Sequence, residues 1–176
     1  MTTASKITVV RILLVPVFMV AALAGFQLTA LILFVTAGAT DWIDGYIARK
    51  YDQISNFGKF MDPLADKLLV TAAFLIFVQW GRMPAWMVMV ILAREFIVSG
   101  LRMMAAASGS VIAAGVSGKV KTVVTMVGLT LMLTTFHSWA IVPGVTVDVL
   151  VSALIMGTTV YSGVDYLTQN YKVFLG

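Results

Sequence analysis

Six long apolar segments fill most of this 176-residue chain. Each is close to the roughly 20 residues that an α-helix needs to cross a bilayer. Hydrophobic residues make up 60% of the sequence and charged residues 11%, whereas soluble domains carry about 25% charged residues. The sequence therefore predicts an all-α integral membrane protein with six transmembrane helices, forming a single domain over residues 1–176. The predicted spans cover residues 7–25, 28–49, 62–80, 84–107, 119–138 and 146–171.

Positive charges are distributed unevenly between the predicted loops. Arg82 alone lies in a loop on one side, and on the other side nine cations lie in or near the loops and termini. The positive-inside rule assigns the cation-rich side to the cytoplasm. We therefore expect a multi-pass protein of the cytoplasmic membrane with both termini inside, surrounded by lipid and without a nucleic-acid partner. The nine cations are Lys6, Arg11, Arg49, Lys50, Lys59, Arg102, Lys119, Lys121 and Lys172.

A cleavable signal peptide is an alternative interpretation of the first segment. Lys6 and Arg11 precede an apolar stretch that ends in Ala22-Leu23-Ala24, a pattern similar to a cleavage site. Cleavage would leave five spans and remove the charge asymmetry, so we expect the first span to be retained.

Five of the eight acidic residues in the chain lie between residues 41 and 66, and four of these aspartates form two closely spaced pairs. Asp41 and Asp44 are three residues apart near the end of span 2, and Asp62 and Asp66 are four apart at the start of span 3, so each pair shares a helix face. A short turn between the two spans makes them antiparallel neighbours, and the four carboxylates can converge.

Carboxylates are costly in an apolar protein unless cations compensate their charge. Capping or pairing with Arg49, Lys50, Lys59 and Lys67 explains one or two of the aspartates, but not four. The chain has no cysteine, which excludes thiolate metal sites. Four oxygen-donor side chains are instead typical of a site for one or two Mg²⁺ or Mn²⁺ ions, which can hold a diphosphate for phosphoryl transfer.

The same stretch can be written D-x2-D-G-x2-A-R-x8-G-x3-D-x3-D over residues 41–66. At every fixed position it resembles the signature of the CDP-alcohol phosphotransferase family. That resemblance implies transfer of a phosphatidyl-type group from a CDP-linked lipid to an alcohol, with release of CMP. It also implies a fold of six transmembrane helices, usually a homodimer, with two divalent cations at the aspartates.

The resemblance assigns roles to the matching positions. It implies that Asp41, Asp44 and Asp62 bind one cation and that Asp41, Asp62 and Asp66 bind the second. Asp66 is also the implied general base. The cytidine diphosphate pocket would be formed by Asp44, Gly45, Ala48, Arg49 and Gly58.

A second group of cations concerns the acceptor alcohol. Arg94 lies near the middle of span 4, Arg102 lies two turns later, and Lys119 and Lys121 open span 5. Arginine deep in a span normally faces a polar cavity or a partner, and several cations near a metal site suit an acceptor that carries phosphate. The alternative interpretations are ion pairs of Arg94 with Glu95 or Asp165, and lysines that only anchor the helix at the membrane surface.

Several further stretches resemble the bacterial members of the family that use sn-glycerol 3-phosphate. This resemblance implies CDP-diacylglycerol and sn-glycerol 3-phosphate as substrates, with Arg94, Arg102, Lys119 and Lys121 at the acceptor phosphate. One departure is Ser5, where the family usually has asparagine, which leaves Thr8 and Arg11 as N-terminal candidates for a substrate contact. The stretches are ITVVRILLVPVF, FGKFMDPLADKLLVTAAF, GRMPAWMVMVILAREFIVSGLR, GKVKT and YSGVDYL.

Two alternative functions stay open on the sequence. The first is the same chemistry with another acceptor, such as inositol phosphate or phosphatidylglycerol. The second is a divalent-cation transporter in which the aspartates form an ion pathway. A transporter does not need Gly45, Arg49 and Gly58 at fixed spacing, and transporters often contain inverted repeats, which this sequence lacks.

Overall fold

The computed structural model describes the backbone of residues 3–50, 56–107, 115–134, 138–142 and 145–174. It describes the side chains of residues 8–40, 64, 65, 67–106, 115–134, 138, 139 and 145–171.

Six α-helices in the predicted order form the described part of the chain. Their agreement with the six apolar segments follows from the length and composition of those segments, which favour helix over strand. The helices are α1 (Thr3–Leu23), α2 (Gln27–Lys50), α3 (Asn56–Gln79), α4 (Ala85–Ala107), α5 (Val116–Leu133) and α6 (Val147–Phe174).

Helix α3 begins six residues before its predicted span. It starts at Asn56, and Pro63, which a span beginning at residue 62 would place in the first turn of the helix, therefore lies further inside it. The apolar pattern marks only the part of a helix that is surrounded by lipid or protein, and the polar first turns of α3 fall outside that pattern.

A short antiparallel hairpin between α5 and α6 was not predicted. Strand β1 (Ala140–Val142) pairs with β2 (Val145–Thr146), and α5 ends at Leu133 rather than at residue 138. The segment is rich in β-branched residues, which favour extended backbone. The rest of the regular structure described is helical, so the all-α prediction is confirmed apart from this hairpin.

Two of the described helices are long and apolar enough to cross a membrane, namely α5 and residues 147–171 of α6. Helix α4 has 23 residues, but it carries Arg94, Glu95 and Arg102. The described apolar parts of α1, α2 and α3 are shorter, at residues 8–23, 27–40 and 67–79. Six transmembrane spans therefore stay a prediction.

The outer surface of the helices is hydrophobic, as expected for a protein in lipid. In α1, Val10, Leu13, Val17 and Val20 are each more than half exposed, whereas Phe18 on the opposite face is completely buried. This is a helix with apolar residues on both faces, one packed inside the protein and one outside, which is typical of a membrane span.

The core joins α1, α2 and α3 on one side to α5 and α6 on the other. The rings of Phe18 in α1 and Phe34 in α2 are 5.6 Å apart between centroids. Gly128 brings α5 close to α6, because a Cβ atom there would lie 2.8 Å from Cγ1 of Val151. A side chain at this position would separate the two helices.

Polar contacts tie the helices together at the end of the bundle where α3 finishes. The Arg82 guanidinium donates to the carbonyl oxygen of Met132 at 3.0 Å, lies 4.5 Å above the Trp80 ring and is 4.0 Å from the carboxylate of Asp148. Burial lowers the pKa of Arg82, and the negative charge of Asp148 opposes that shift.

The opposite end of the bundle has its own pair of interhelical hydrogen bonds. Lys67 of α3 donates to Ser99 of α4, and Ser117 of α5 donates to Asp165 of α6. This is the end at which α2 finishes and α3 begins, so it also contains the backbone of the four aspartates.

Candidate active site

The signature residues lie on two neighbouring helices. Asp41, Asp44, Gly45, Ala48 and Arg49 lie in the last turns of α2, and α2 contacts α3. The remaining three are in the first half of α3, namely Gly58, Asp62 and Asp66.

The side chains of these eight residues lie outside the described part of the structure. The metal, general-base and cytidine diphosphate assignments therefore stay predictions. Among the described residues, no group of three or more His, Cys, Asp or Glu side chains forms a metal site. The donor chemistry of the four carboxylates fits Mg²⁺ or Mn²⁺, because both are hard cations that prefer oxygen ligands.

A pocket opens between α3, α4 and α5 beside the signature. Its polar end is formed by Lys67, Glu95 and Lys121, and Lys67 directly follows Asp66 in α3. Thr125, also in the lining, is 3% exposed, and its hydroxyl has no hydrogen-bond partner among the described residues. The remaining lining is largely apolar and lies nearer the middle of the bundle, with Val70, Phe74, Ile91, Leu92, Phe96 and Met126 as its hydrophobic members.

Glu95 brings together two of the cations that the sequence predicted at the acceptor phosphate. Its Oε1 atom accepts a hydrogen bond from Nη1 of Arg94 at 2.9 Å and another from Nζ of Lys121 at 2.6 Å. The three side chains are between 9% and 21% exposed. In such a site of low dielectric, one carboxylate between two cations relieves the repulsion between them.

Arg94 is also held by helix α6. Its Nη2 atom donates to the hydroxyl of Ser162 at 2.5 Å. A Cβ atom on the next residue, Gly163, would lie 3.0 Å from Cγ of Arg94. The arginine side chain therefore lies directly over the backbone of α6.

The structure decides between the alternative partners of Arg94. The ion pair with Glu95 is confirmed. Asp165 instead accepts hydrogen bonds from Ser117 and from Gln169. Lys121 is 7% exposed and points into the protein, so the alternative interpretation of Lys121 as a surface anchor is wrong.

Arg102 and Lys119 have a different environment. Both are exposed, and neither side chain forms a hydrogen bond or ion pair with another described residue. Arg102 and Arg94 both interact electrostatically with Tyr166 in α6, which places the two arginines on the same side of the bundle. The four predicted acceptor residues thus form two couples. Arg94 and Lys121 are largely buried and share Glu95, whereas Arg102 and Lys119 are exposed.

The N-terminal candidates are inside the bundle. Thr8 is 0% exposed and Arg11 is 1% exposed, and both make further polar or electrostatic interactions. The side chain of Ser5 lies outside the described residues.

Sequence reasoning missed the residues that hold the predicted cations. Glu95 was considered only as a partner of Arg94 and not of Lys121, and Ser162 and Gly163 were assigned no role. Their signal was present in the stretch YSGVDYL, which had been noted only as similar to the family.

Comparisons with known proteins agree with the resemblance in the signature. The family described as CDP-alcohol phosphatidyltransferase matches residues 1–161. A CDP-diacylglycerol–glycerol-3-phosphate 3-phosphatidyltransferase of Bacillus subtilis is 42% identical, with 96% of this chain and 94% of the relative covered. Enzymes of the same name are 35% identical in Haemophilus influenzae, over 92% of this chain and 89% of the relative, and 34% identical in Salmonella typhimurium, over 92% and 91%.

Proposed function

Because the chain belongs to the CDP-alcohol phosphatidyltransferase family, we propose that it transfers the phosphatidyl group of CDP-diacylglycerol to sn-glycerol 3-phosphate. The products are phosphatidylglycerophosphate and CMP, as in phosphatidylglycerol biosynthesis. The names of its relatives, at up to 42% identity over nearly the whole chain, support this choice of substrates. The observation in the structure that carries the choice of acceptor is the cluster of Arg94, Lys121 and Arg102 near the signature helices.

The proposed chemistry is substitution at phosphorus. The sn-1 hydroxyl of glycerol 3-phosphate attacks the β-phosphorus of CDP-diacylglycerol, and the bond from that phosphorus to the oxygen of the departing CMP breaks. Asp66 accepts the proton of the attacking hydroxyl. Arg49 binds the diphosphate through its planar donor groups, and Gly45 and Gly58 leave room for the nucleotide.

The four aspartates are proposed to hold two divalent cations, Mg²⁺ or Mn²⁺. When bound, the cations supply positive charge that neutralises the negative charge developing on the reacting phosphate oxygens. Asp41 and Asp62 would contact both cations, Asp44 the first and Asp66 the second. The signature positions on α2 and α3 lie at one end of the bundle, the end that also contains Lys67. The acyl chains of CDP-diacylglycerol can therefore stay in the bilayer while its diphosphate reaches the site.

The acceptor phosphate is proposed to bind the cations of α4 and α5. Arg102 and Lys119 are exposed and form no ion pair with described residues, so they can meet a dianionic phosphate. Arg94 and Lys121 share the single carboxylate of Glu95, and together these three groups retain one net positive charge. An acceptor without phosphate would leave this charge unbalanced.

A test of the reaction is the release of CMP by the purified protein with CDP-diacylglycerol and Mg²⁺. We expect turnover with sn-glycerol 3-phosphate and background release with inositol phosphate, serine or phosphatidylglycerol. EDTA should stop the reaction and added Mn²⁺ or Mg²⁺ should restore it. Turnover with another acceptor alone would refute the proposed acceptor and keep the chemistry. If none of these acceptors led to CMP release, the whole proposal would be refuted.

We further propose that the protein lies in the bacterial cytoplasmic membrane with its active site and both termini on the cytoplasmic side. Since the chain contains no cysteine, single cysteines can report on this orientation. Phe26, between α1 and α2, is 65% exposed, and Val116, at the start of α5, is 77% exposed. In spheroplasts, a membrane-impermeant maleimide should label Phe26→Cys, and it should label Val116→Cys only after permeabilisation. The reverse pattern would contradict the orientation.

A further inference from the structure

We propose that Glu95, Ser162 and Gly163 form an arginine seat, a set of positioning residues that fixes the guanidinium of Arg94 for the acceptor phosphate. This inference rests on the proposed function and adds to it the residues that act through Arg94. The seat unites α4, which carries Arg94 and Glu95, with α6, which carries Ser162 and Gly163.

The geometry of α4 alone would not bring Arg94 and Glu95 together. Adjacent residues on a helix do not face each other, and stable side-chain pairs are normally three or four residues apart. Here the Nη1 to Oε1 distance is 2.9 Å, while Ser162 holds Nη2 from the other helix at 2.5 Å. The two contacts hold both Nη atoms and so fix the orientation of the guanidinium.

The fixed guanidinium keeps donors for a ligand. Each Nη atom carries two N–H groups, and the seat uses one of each pair. Neither Nη atom has another hydrogen-bond partner among the described residues, so one N–H on each remains for phosphate oxygens, and arginine recognises phosphate most strongly through two such donors. The Nε atom is buried and has no hydrogen-bond partner in the described part of the chain, and it lies beside Gly163, 3.8 Å from the position of a Cβ atom there.

Gly163 sets how close Arg94 can approach α6. A Cβ atom at this position would be 3.0 Å from Cγ of Arg94, which is closer than carbon atoms normally pack. Cγ is near the base of the side chain, so displacing it moves the whole guanidinium. Gly38 is different, because among the described residues its added Cβ would meet the terminal methyl group of Met126 alone.

Glu95 links the seat to Lys121. The same Oε1 atom accepts from both cations, so a displacement of Arg94 also changes the environment of the lysine. A phosphate that binds Arg94 therefore meets a pair of cations whose spacing is set by one carboxylate oxygen.

The test compares Gly163→Ala with Gly157→Ala in the full-length protein. Both glycines are in α6, and the Cβ atom of an alanine at residue 157 would have no atom of another described element within 4 Å. Alanine favours helix over glycine at both positions, so neither change should lower the thermal stability through helix propensity. We expect Gly163→Ala to raise the KM for sn-glycerol 3-phosphate about tenfold, and Gly157→Ala to leave it unchanged. The KM for CDP-diacylglycerol should stay the same in both.

Ser162→Ala is the second variant, since it removes the acceptor of Nη2 without adding volume. It should raise the same KM, and Ser162→Thr, which keeps the hydroxyl, should restore at least part of the loss. A lower Tm with unchanged KM values, or an equal rise in both KM values, would show that these residues only pack the helices and would overturn the proposal.

The wild-type protein separates this inference from the proposed function. If it releases CMP with glycerol 3-phosphate while the seat variants behave like Gly157→Ala, only the arginine seat is refuted. If the wild type uses an acceptor without phosphate, the proposed function fails and the seat fails with it.

Discussion

Replacing Asp62 with asparagine is expected to lower kcat for CMP release by about three orders of magnitude or more. By the family resemblance, Asp62 binds both proposed cations, so the amide would weaken both sites at once. Loss of metal assistance removes several kcal/mol of transition-state stabilisation, and each 1.4 kcal/mol corresponds to about a factor of ten in rate. The change is nearly isosteric, so the protein should still insert into the membrane and fold.

The measurement is the rate of CMP release at saturating CDP-diacylglycerol and glycerol 3-phosphate, over a range of Mg²⁺ concentrations. Asp52→Asn is the matched control, because Asp52 lies between the two aspartate pairs but at a variable position of the signature. Normal turnover of Asp62→Asn would contradict the proposed metal site. An equal loss in both variants would point to a general effect of charge in this segment.

The order of the helices could be predicted because it depends on local composition. A segment of about 20 apolar residues has few alternatives to a helix in lipid, since every backbone N–H and C=O must be satisfied within it. The ends were harder to predict. Helix α3 continues into polar residues before Asp62, where hydropathy gives no signal, and the hairpin at residues 140–146 is too short for a periodic pattern.

The candidate site could likewise be predicted from the sequence only in part. Four aspartates in an apolar chain are visible in the sequence because unpaired charge in such a protein is costly. The partners of Arg94 were not visible, because they depend on tertiary packing. Ser162 is 68 residues away from Arg94, and Lys121 is 26 residues away from Glu95. No local pattern indicates which side of α6 faces α4.

Burial also changed the interpretation of the four cations. The sequence placed Arg94, Arg102, Lys119 and Lys121 in one group. In the structure, Lys121 and Arg94 are largely buried and both form an ion pair with Glu95. Arg102 and Lys119 are exposed. The buried couple costs more to desolvate, and its geometry is fixed by its partners. The exposed couple can respond first to an arriving anion.

Arg102→Ala is therefore expected to raise the KM for sn-glycerol 3-phosphate by about 10- to 100-fold and to leave the KM for CDP-diacylglycerol nearly unchanged. A charge-assisted contact between arginine and phosphate contributes about 1.5–3 kcal/mol, which corresponds to this range. Because Arg102 forms no hydrogen bond or ion pair with other described residues, its removal should hardly change the Tm of the protein. Initial rates with each substrate varied in turn measure the two KM values.

Two further variants separate charge from geometry at this position. Arg102→Lys keeps the positive charge but loses the planar pair of donors, so it should recover only part of the affinity. Met103→Ala is the control for truncation of a neighbouring side chain, because Met103 is 64% exposed and carries no charge. If Arg102→Ala changed only the KM for the CDP-lipid, Arg102 would contact the diphosphate of the donor. The proposal that α2 and α3 bind the donor while α4 and α5 bind the acceptor would then be wrong. If the effect appears with glycerol 3-phosphate alone, the exposed arginine meets the phosphate that arrives from the cytoplasm, and Arg94 receives it deeper in the site.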